Sequence, residues 1–183
     1  MRIDDILVHP RDNDLIVGTH GRSIFIVDDI TALQGLTEQV TAKDVHLFDP
    51  RPGTLWNNDT MLARQTGGAK YFAGQNPEPG TVISYYLKAA PAGDVTIAIS
   101  DITGRVVRTI QGTKNAGLNR LPWDFRGNPP QRPANLPEGL PGQFGRALRQ
   151  GPPVEPGTYL VKLSVGGKDL TTRVVVEADD LGR

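Results

Sequence analysis

The sequence predicts an all-β fold centred on a β-sandwich. Three observations carry this expectation. Short runs rich in β-branched residues recur along the chain, with no alternation of strands and amphipathic helices. Glycine and proline are abundant, 21 and 15 of 183 residues, which suits a succession of turns better than a helical bundle. Several runs alternate as half-buried strands do: Val95, Ile97 and Ile99 point one way, and Thr96, Ala98 and Ser100 the other.

Residues 1–48 read as a β segment. Ile6-Leu7-Val8 is a short apolar run. His9-Pro10-Arg11-Asp12-Asn13-Asp14 is a turn, in which proline presets φ and the Asp and Asn side chains bond nearby amides. Leu15–Thr19 and Ser23–Asp28 are strands joined through His20-Gly21-Arg22 as a hairpin. Both are apolar on both faces, so cover is expected on each side. Two or three such strands are not stable alone. They are expected to pack on the later module or to pair across a chain interface. Thr31–Leu36 is expected as a short capped helical turn, and Val45–Phe48 as a further strand. Residues 49–79 hold Pro50, Pro52, Gly53, Gly67, Gly68, Gly74, Pro77 and Pro79 and read as a linker or wrapping segment, with one short strand near Lys70–Phe72.

From Gly80 the pattern sharpens, and residues 80–178 form the expected sandwich. Val82–Leu87, Val95–Ser100, Arg105–Ile110 and Leu118–Phe125 read as strands. Asp101-Ile102-Thr103-Gly104 turns a hairpin, and Pro122 marks an edge or a bulge. Thr158–Val165 and Asp169–Glu177 alternate cleanly and are joined by Gly166-Gly167, the clearest hairpin of the chain. Before them, residues 127–157 form a long loop with eight prolines and one helical turn near Phe144–Leu148. Loops of that length are usually functional or disordered.

Composition removes whole classes of function. Lys+Arg and Asp+Glu are balanced at 20 each, which leaves no electrostatic footprint for nucleic acid or an anionic membrane. The absence of cysteine excludes disulfides, thiolate metal sites and cysteine nucleophiles. No apolar run approaches the roughly 18 residues of a membrane span. No cofactor is expected. Gly67-Gly68 precedes no strand-to-helix transition that would cradle a phosphate, and the serines lack a nucleophile elbow. No metal site is expected either. His9, His20 and His46 lack metal-ligand spacing, and Asp12 with Asp14 lacks the later ligands of a calcium loop.

Two stretches are similar to known families. Residues 80–178 resemble the immunoglobulin-like domain of the flagellar hook-capping protein type. The resemblance rests on the hairpin Val95–Ile110, on Asn119-Arg120-Leu121-Pro122-Trp123-Asp124, on Pro156-Gly157-Thr158-Tyr159 and on the final hairpin. The departure is the long insertion between Trp123-Asp124 and Pro156, where that family has a short connection. The stretch Val8-His9-Pro10-Arg11-Asp12-Asn13-Asp14-Leu15-Ile16-Val17-Gly18-Thr19-His20-Gly21-Arg22-Ser23-Ile24-Phe25-Ile26-Val27-Asp28-Asp29 resembles the last blade of bacterial sortilin-like, BNR-repeat propeller glycoside hydrolases. The two resemblances imply that the chain is the C-terminal segment of a larger exported protein, extracellular or periplasmic. They also imply that its signal peptide lies outside these residues, since Met1-Arg2-Ile3-Asp4-Asp5 does not read as one.

The expected function is therefore that of a non-catalytic accessory module. Its partner would be the remainder of a propeller protein, or another copy meeting it through residues 1–48. A competing expectation is a small glycosidase. Such enzymes need two carboxyl groups about 5–9 Å apart, and Asp124, Glu138 and Glu155 lie in or beside the long loop. A third is a carbohydrate-binding module using Trp123 or Trp56 as a platform. Against these stands a packing role, with Trp123 filling the core and Asp124 capping loop amides, as the resembling family implies. Trp56 is likewise expected to pack. His20 with Arg22 at the hairpin turn could form a propeller-rim site, but the His20 imidazole is expected to bond backbone instead, and Asp28 with Asp29 at a strand end are expected to cap the following helical turn.

Overall fold

A computed structural model of the protein describes residues 2–56, 79–131 and 150–179. The all-β sandwich expected from the sequence is what these residues form. The strand expected near Lys70–Phe72 and the helical turn near Phe144–Leu148 lie outside the described residues.

One sheet of the sandwich has three strands: β4 (Val45–Leu47), β6 (Thr81–Leu87) and β9 (Gly117–Trp123), in the order β4-β6-β9. The other has five: β5 (Gly53–Leu55), β11 (Lys168–Ala178), β10 (Gly157–Val165), β7 (Val95–Ser100) and β8 (Val106–Gln111), in that order across the sheet. All pairings are antiparallel except β5 with β11. The core lies between the sheets. Ile83, Tyr85 and Leu87 of β6 meet Val95, Ile97 and Ile99 of β7, Val161 and Leu163 of β10, and Val174 and Val176 of β11. The period-two alternation puts these side chains on one face of each strand. It also separates the two adjacent tyrosines. Tyr85 is buried in the core, while Tyr86 points outward against a small second cluster of Ala32, Val40 and Phe48.

That second cluster is the cover provided by two one-turn helices, α1 (Thr31–Gln34) and α2 (Glu38–Thr41). α2 starts on a Thr37 hydroxyl that accepts a hydrogen bond from the Val40 amide, with Glu38 in its first turn. α1 has no side-chain cap on Ile30, but Asp29 Oδ1 accepts from the Thr31 amide, a local bond of the kind expected for Asp29.

The edges of the sandwich are blunted in different ways. β4 and β5 are three residues long. β9 carries Pro122 on its edge, where a missing amide costs no ladder bond. The edge of β8 is occupied by Asn128, whose amide donates to the Val107 carbonyl (2.8 Å) while its Oδ1 accepts from the Thr109 amide (2.9 Å).

The N-terminal strands form a separate three-stranded antiparallel sheet of β1 (Ile3–Val8), β2 (Leu15–Thr19) and β3 (Ile24–Val27), in the order β1-β2-β3. It is tied to the sandwich by arginines. Arg120 Nη2 of β9 donates to the Asp28 carbonyl (2.8 Å), and Arg51 donates to the Asp12 carbonyl while lying 3.8 and 3.9 Å from the Asp12 and Asp14 carboxylates. The expected cover on both faces is not found among the described residues. Ile3, Ile6, Leu7 and Val8 of β1 and all four residues of β3 keep 39–66% of their surface exposed. Among the described residues no helix is long and apolar enough to cross a membrane.

Candidate functional site

The structure brings several of the sequence candidates to one end of the sandwich. β9 ends at Trp123, whose side chain points inward and is fully buried. Its indole nitrogen donates to the Arg126 carbonyl (3.0 Å). Phe125 follows at φ +55°, a left-handed conformation that bulky residues seldom adopt. The reversal lets its ring also enter the core, edge-on to Trp123 at 5.1 Å. Tyr159, at the start of β10, closes the aromatic group with its ring 5.4 Å from Trp123.

The chain leaving β9 and the chain entering β10 are stitched together there. The Val154 amide donates to the Phe125 carbonyl (2.9 Å), the Gly127 amide to the Pro152 carbonyl (2.8 Å), and Arg126 Nη1 to the Gly151 carbonyl (3.0 Å). Beside this stitch lies a cleft of about 540 Å³. Val106, Val107, Pro152 and Pro153 form apolar walls, and Asp101, Arg105 and Glu155 supply charge.

Two of the charged groups at the cleft, Asp101 and Arg105, are engaged with each other. Asp101 Oδ1 accepts from the Thr103 hydroxyl and from the amides of Thr103 and Arg105, and its Oδ2 accepts from Arg105 Nε (3.1 Å). The Thr103 hydroxyl first, with these amides and the guanidinium, holds the Asp101 carboxyl below the usual carboxylate range. A carboxylate stabilised in its ionised form is unsuited to donate a proton at neutral pH. The Tyr159 hydroxyl donates to the Glu155 carbonyl (2.7 Å), and burial pushes its pKa above the ordinary tyrosine value. The arrangement is an apolar hollow with the Asp101–Arg105 charge pair on its wall.

The candidates from the sequence divide as follows. Trp123 takes the packing role, and its burial removes it as a sugar platform. Asp124 is half-buried directly after β9, and Glu155 is exposed at the cleft. The Arg126–Pro153 bridge runs their two segments side by side, but of the two only Glu155 lines the cleft. No described backbone amide bonds to the Asp124 carboxylate, so the capping expected of it is not seen among the described residues. Glu138 lies outside the described residues. Trp56 departs from expectation: it sits just beyond β5 with 58% of its surface exposed, not packed. His20 also differs, since its Nδ1 faces Asp4 Oδ2 at 3.0 Å instead of bonding backbone. Asp12 and Asp14, weighed as calcium ligands, face Arg51, and Asp12 also bonds Arg11.

Sequence reasoning missed Arg105, Pro152 and Pro153 as wall residues. The Asp101–Gly104 turn was visible, but the meeting of the two loop ends depends on pairing across the long insertion, which local pattern does not reveal. No family model and no curated protein matches the chain.

Proposed function

We propose that the chain is a non-catalytic accessory β-sandwich module of the C-terminal end of an exported, propeller-type glycoside hydrolase, acting outside the cytoplasm. The observation that carries this reading is the contrast between its two parts. The sandwich is closed, with Tyr85, Trp123, Phe125 and Tyr159 spent on packing and its edges blunted. The β1–β3 sheet is apolar on both faces and, among the described residues, uncovered, as a layer is that completes its core against other elements. An immunoglobulin-like sandwich following a last propeller blade has these properties. The module's work is then attachment and spacing.

The test is hydrolysis of a panel of aryl glycosides by the purified chain. No turnover is expected, and Asp124→Asn and Glu155→Gln should leave the melting temperature within a degree or two of the parent. Turnover that either substitution abolishes would replace this reading with that of a small glycosidase. One observation favours a second reading, carbohydrate binding: the open indole of Trp56. It requires that oligosaccharides raise the melting temperature through mass action and that Trp56→Ala abolish the rise.

A further inference from the structure

The outer face of β4 and β6 carries a titratable ring at the edge of its apolar cover. His46 lies in β4, and Phe48 continues that strand's pairing with its amide on the Ser84 carbonyl (3.0 Å). Two residues apart, their side chains leave the strand on the same face. The rings meet edge to face, with centroids 4.6 Å apart. Strand register sets His46 opposite Tyr86 of β6. Phe48 and Tyr86 are the floor on which α1 and α2 rest, through Ala32 and Val40. The Tyr86 hydroxyl also reaches the Thr41 carbonyl of α2 at 3.5 Å.

The same helical cover joins the β1–β3 sheet to the sandwich. The Asn13 side-chain amide donates to Thr31 Oγ1 (2.8 Å) and Gln34 Oε1 (2.9 Å) of α1, and the Asn13 carbonyl accepts from the Ile30 amide (2.9 Å). His46 therefore borders a joint between two parts of the molecule. We propose that His46 is a pH-sensitive latch on this joint. Neutral, it lets the helical cover lie closed on Phe48 and Tyr86. Protonated, it loosens the cover and with it the attachment of the β1–β3 sheet. This goes beyond the accessory role and does not depend on it.

The groups around His46 fix the sign. α1 carries no charged residue, and Glu38 of α2 is exposed. β6 faces His46 with the hydroxyl-bearing Tyr86 and is followed by Lys88. Lys43, just after α2, repels a charged imidazole, and Asp49, just after β4, attracts it. Burial weighs most, then Lys43, and together they hold the His46 pKa below the ordinary histidine value. The unfolded chain, whose histidine titrates near about 6.5, therefore takes up the proton first. The stability that neutral His46 confers is complete above about 6.5 and is lost as the pH falls through the lower folded value. The other histidines belong to the β1–β3 sheet. His9 and His20 lie 3.1 and 3.0 Å from the Asp12 and Asp4 carboxylates and bond neither helix among the described residues.

The test is hydrogen exchange read by NMR at about pH 7.5 and about pH 5.5, on either side of the histidine range, with rates referred to the unstructured chain. The Gln34, Gly35, Thr41 and Ala42 amides are bonded within the two helical turns, and the Ile30 amide lies at the joint. In the parent, their protection is expected to fall about threefold or more between the two conditions. His46→Phe keeps a ring against Phe48 and should abolish the fall. Should that variant not fold, His46→Gln, neutral at both pH values, is expected to abolish it too. The His46 ring signal of the parent should titrate below about 6.5. A parent with no fall, a fall that persists in the variants, or an equal fall at Val161 and Leu163 of β10 would each overturn the proposal. So would a midpoint at or above about 6.5, which would mean that the Phe48 face holds the charged ring as a cation–π pair. None of those outcomes bears on whether the chain hydrolyses or binds sugars, so they leave the accessory reading to its own test.

Discussion

At the scale of single residues, Gly80 carries more of the sandwich than its size suggests. It enters β6 at φ +98°, and a Cβ there would collide with the carbonyl oxygen of Trp123 on the neighbouring strand. Gly117 has the same φ of +98°, yet nothing lies within 4 Å of where its Cβ would be. The pair separates conformational strain from steric collision. Gly117→Ala is expected to cost about 1 kcal/mol, the strain of a left-handed alanine. Gly80→Ala adds displacement of the β6–β9 pairing at Trp123 and should cost about 3 kcal/mol or more. Urea denaturation of both variants with unchanged m-values measures the difference. Equal losses at the two sites would show that β9 yields to the added methyl group. The same scale explains the two tryptophans. Trp123 ends an alternating strand on its inward phase, so its burial could be read from the sequence. Trp56 follows a three-residue strand with no alternation to assign it a side, and its exposure could not.

At the scale of elements, legibility followed local periodicity. β7, β10 and β11 alternate strictly over six or more residues and were read within a residue or two of their observed limits. β5 was not read as a strand, because Gly53-Thr54-Leu55 has no pattern of its own. It becomes a strand only because Val176, Glu177 and Ala178 of β11 offer a parallel edge more than a hundred residues later. The cleft is illegible for the same reason, since Pro152 and Gly127 meet by a non-local bridge. The element where local and distant effects meet is β8. Its outer edge would be an open template for another strand, and Asn128 occupies it as a one-residue strand. Asn128→Ala keeps the backbone bond to the Val107 carbonyl and deletes the Oδ1 acceptor of the Thr109 amide. The expected loss is about 1 kcal/mol, the net worth of one such hydrogen bond. Hydrogen exchange should quicken selectively at Thr109, and an unchanged rate there would mean that another group takes the bond.

At the scale of the whole molecule, the question is how firmly a sheet with no core of its own is held to a sandwich that has one. The ties among the described residues are polar: Arg120 on the Asp28 carbonyl, Arg51 on the Asp12 carbonyl between the Asp12 and Asp14 carboxylates, and the Asn13 side-chain amide on Thr31 Oγ1 and Gln34 Oε1 of α1. Exposed ion pairs are each worth no more than about 1 kcal/mol, and a bond from a charged donor to a backbone carbonyl is worth about 1.5–3 kcal/mol. The two arginines meet the same end of the sheet, where the β1–β2 turn and the chain leaving β3 are joined by the Asp29 amide on Asp14 Oδ1 (2.9 Å) and the Ile30 amide on the Asn13 carbonyl (2.9 Å), so their effects are expected to couple. Neither contributes to the core among Ile83, Ile97, Leu163 and Val174. Replacing both by alanine is therefore expected to loosen the sheet and leave the sandwich intact. Amide exchange at Ile16, Val17 and Gly18 of β2 should accelerate at least tenfold, while exchange at Val161 and Leu163 of β10 stays at the parent rate. Each single substitution should give part of the acceleration. If exchange quickened equally in β2 and β10, the sheet and the sandwich would be one cooperative unit, and the arginines would be holding the whole fold rather than a docked layer.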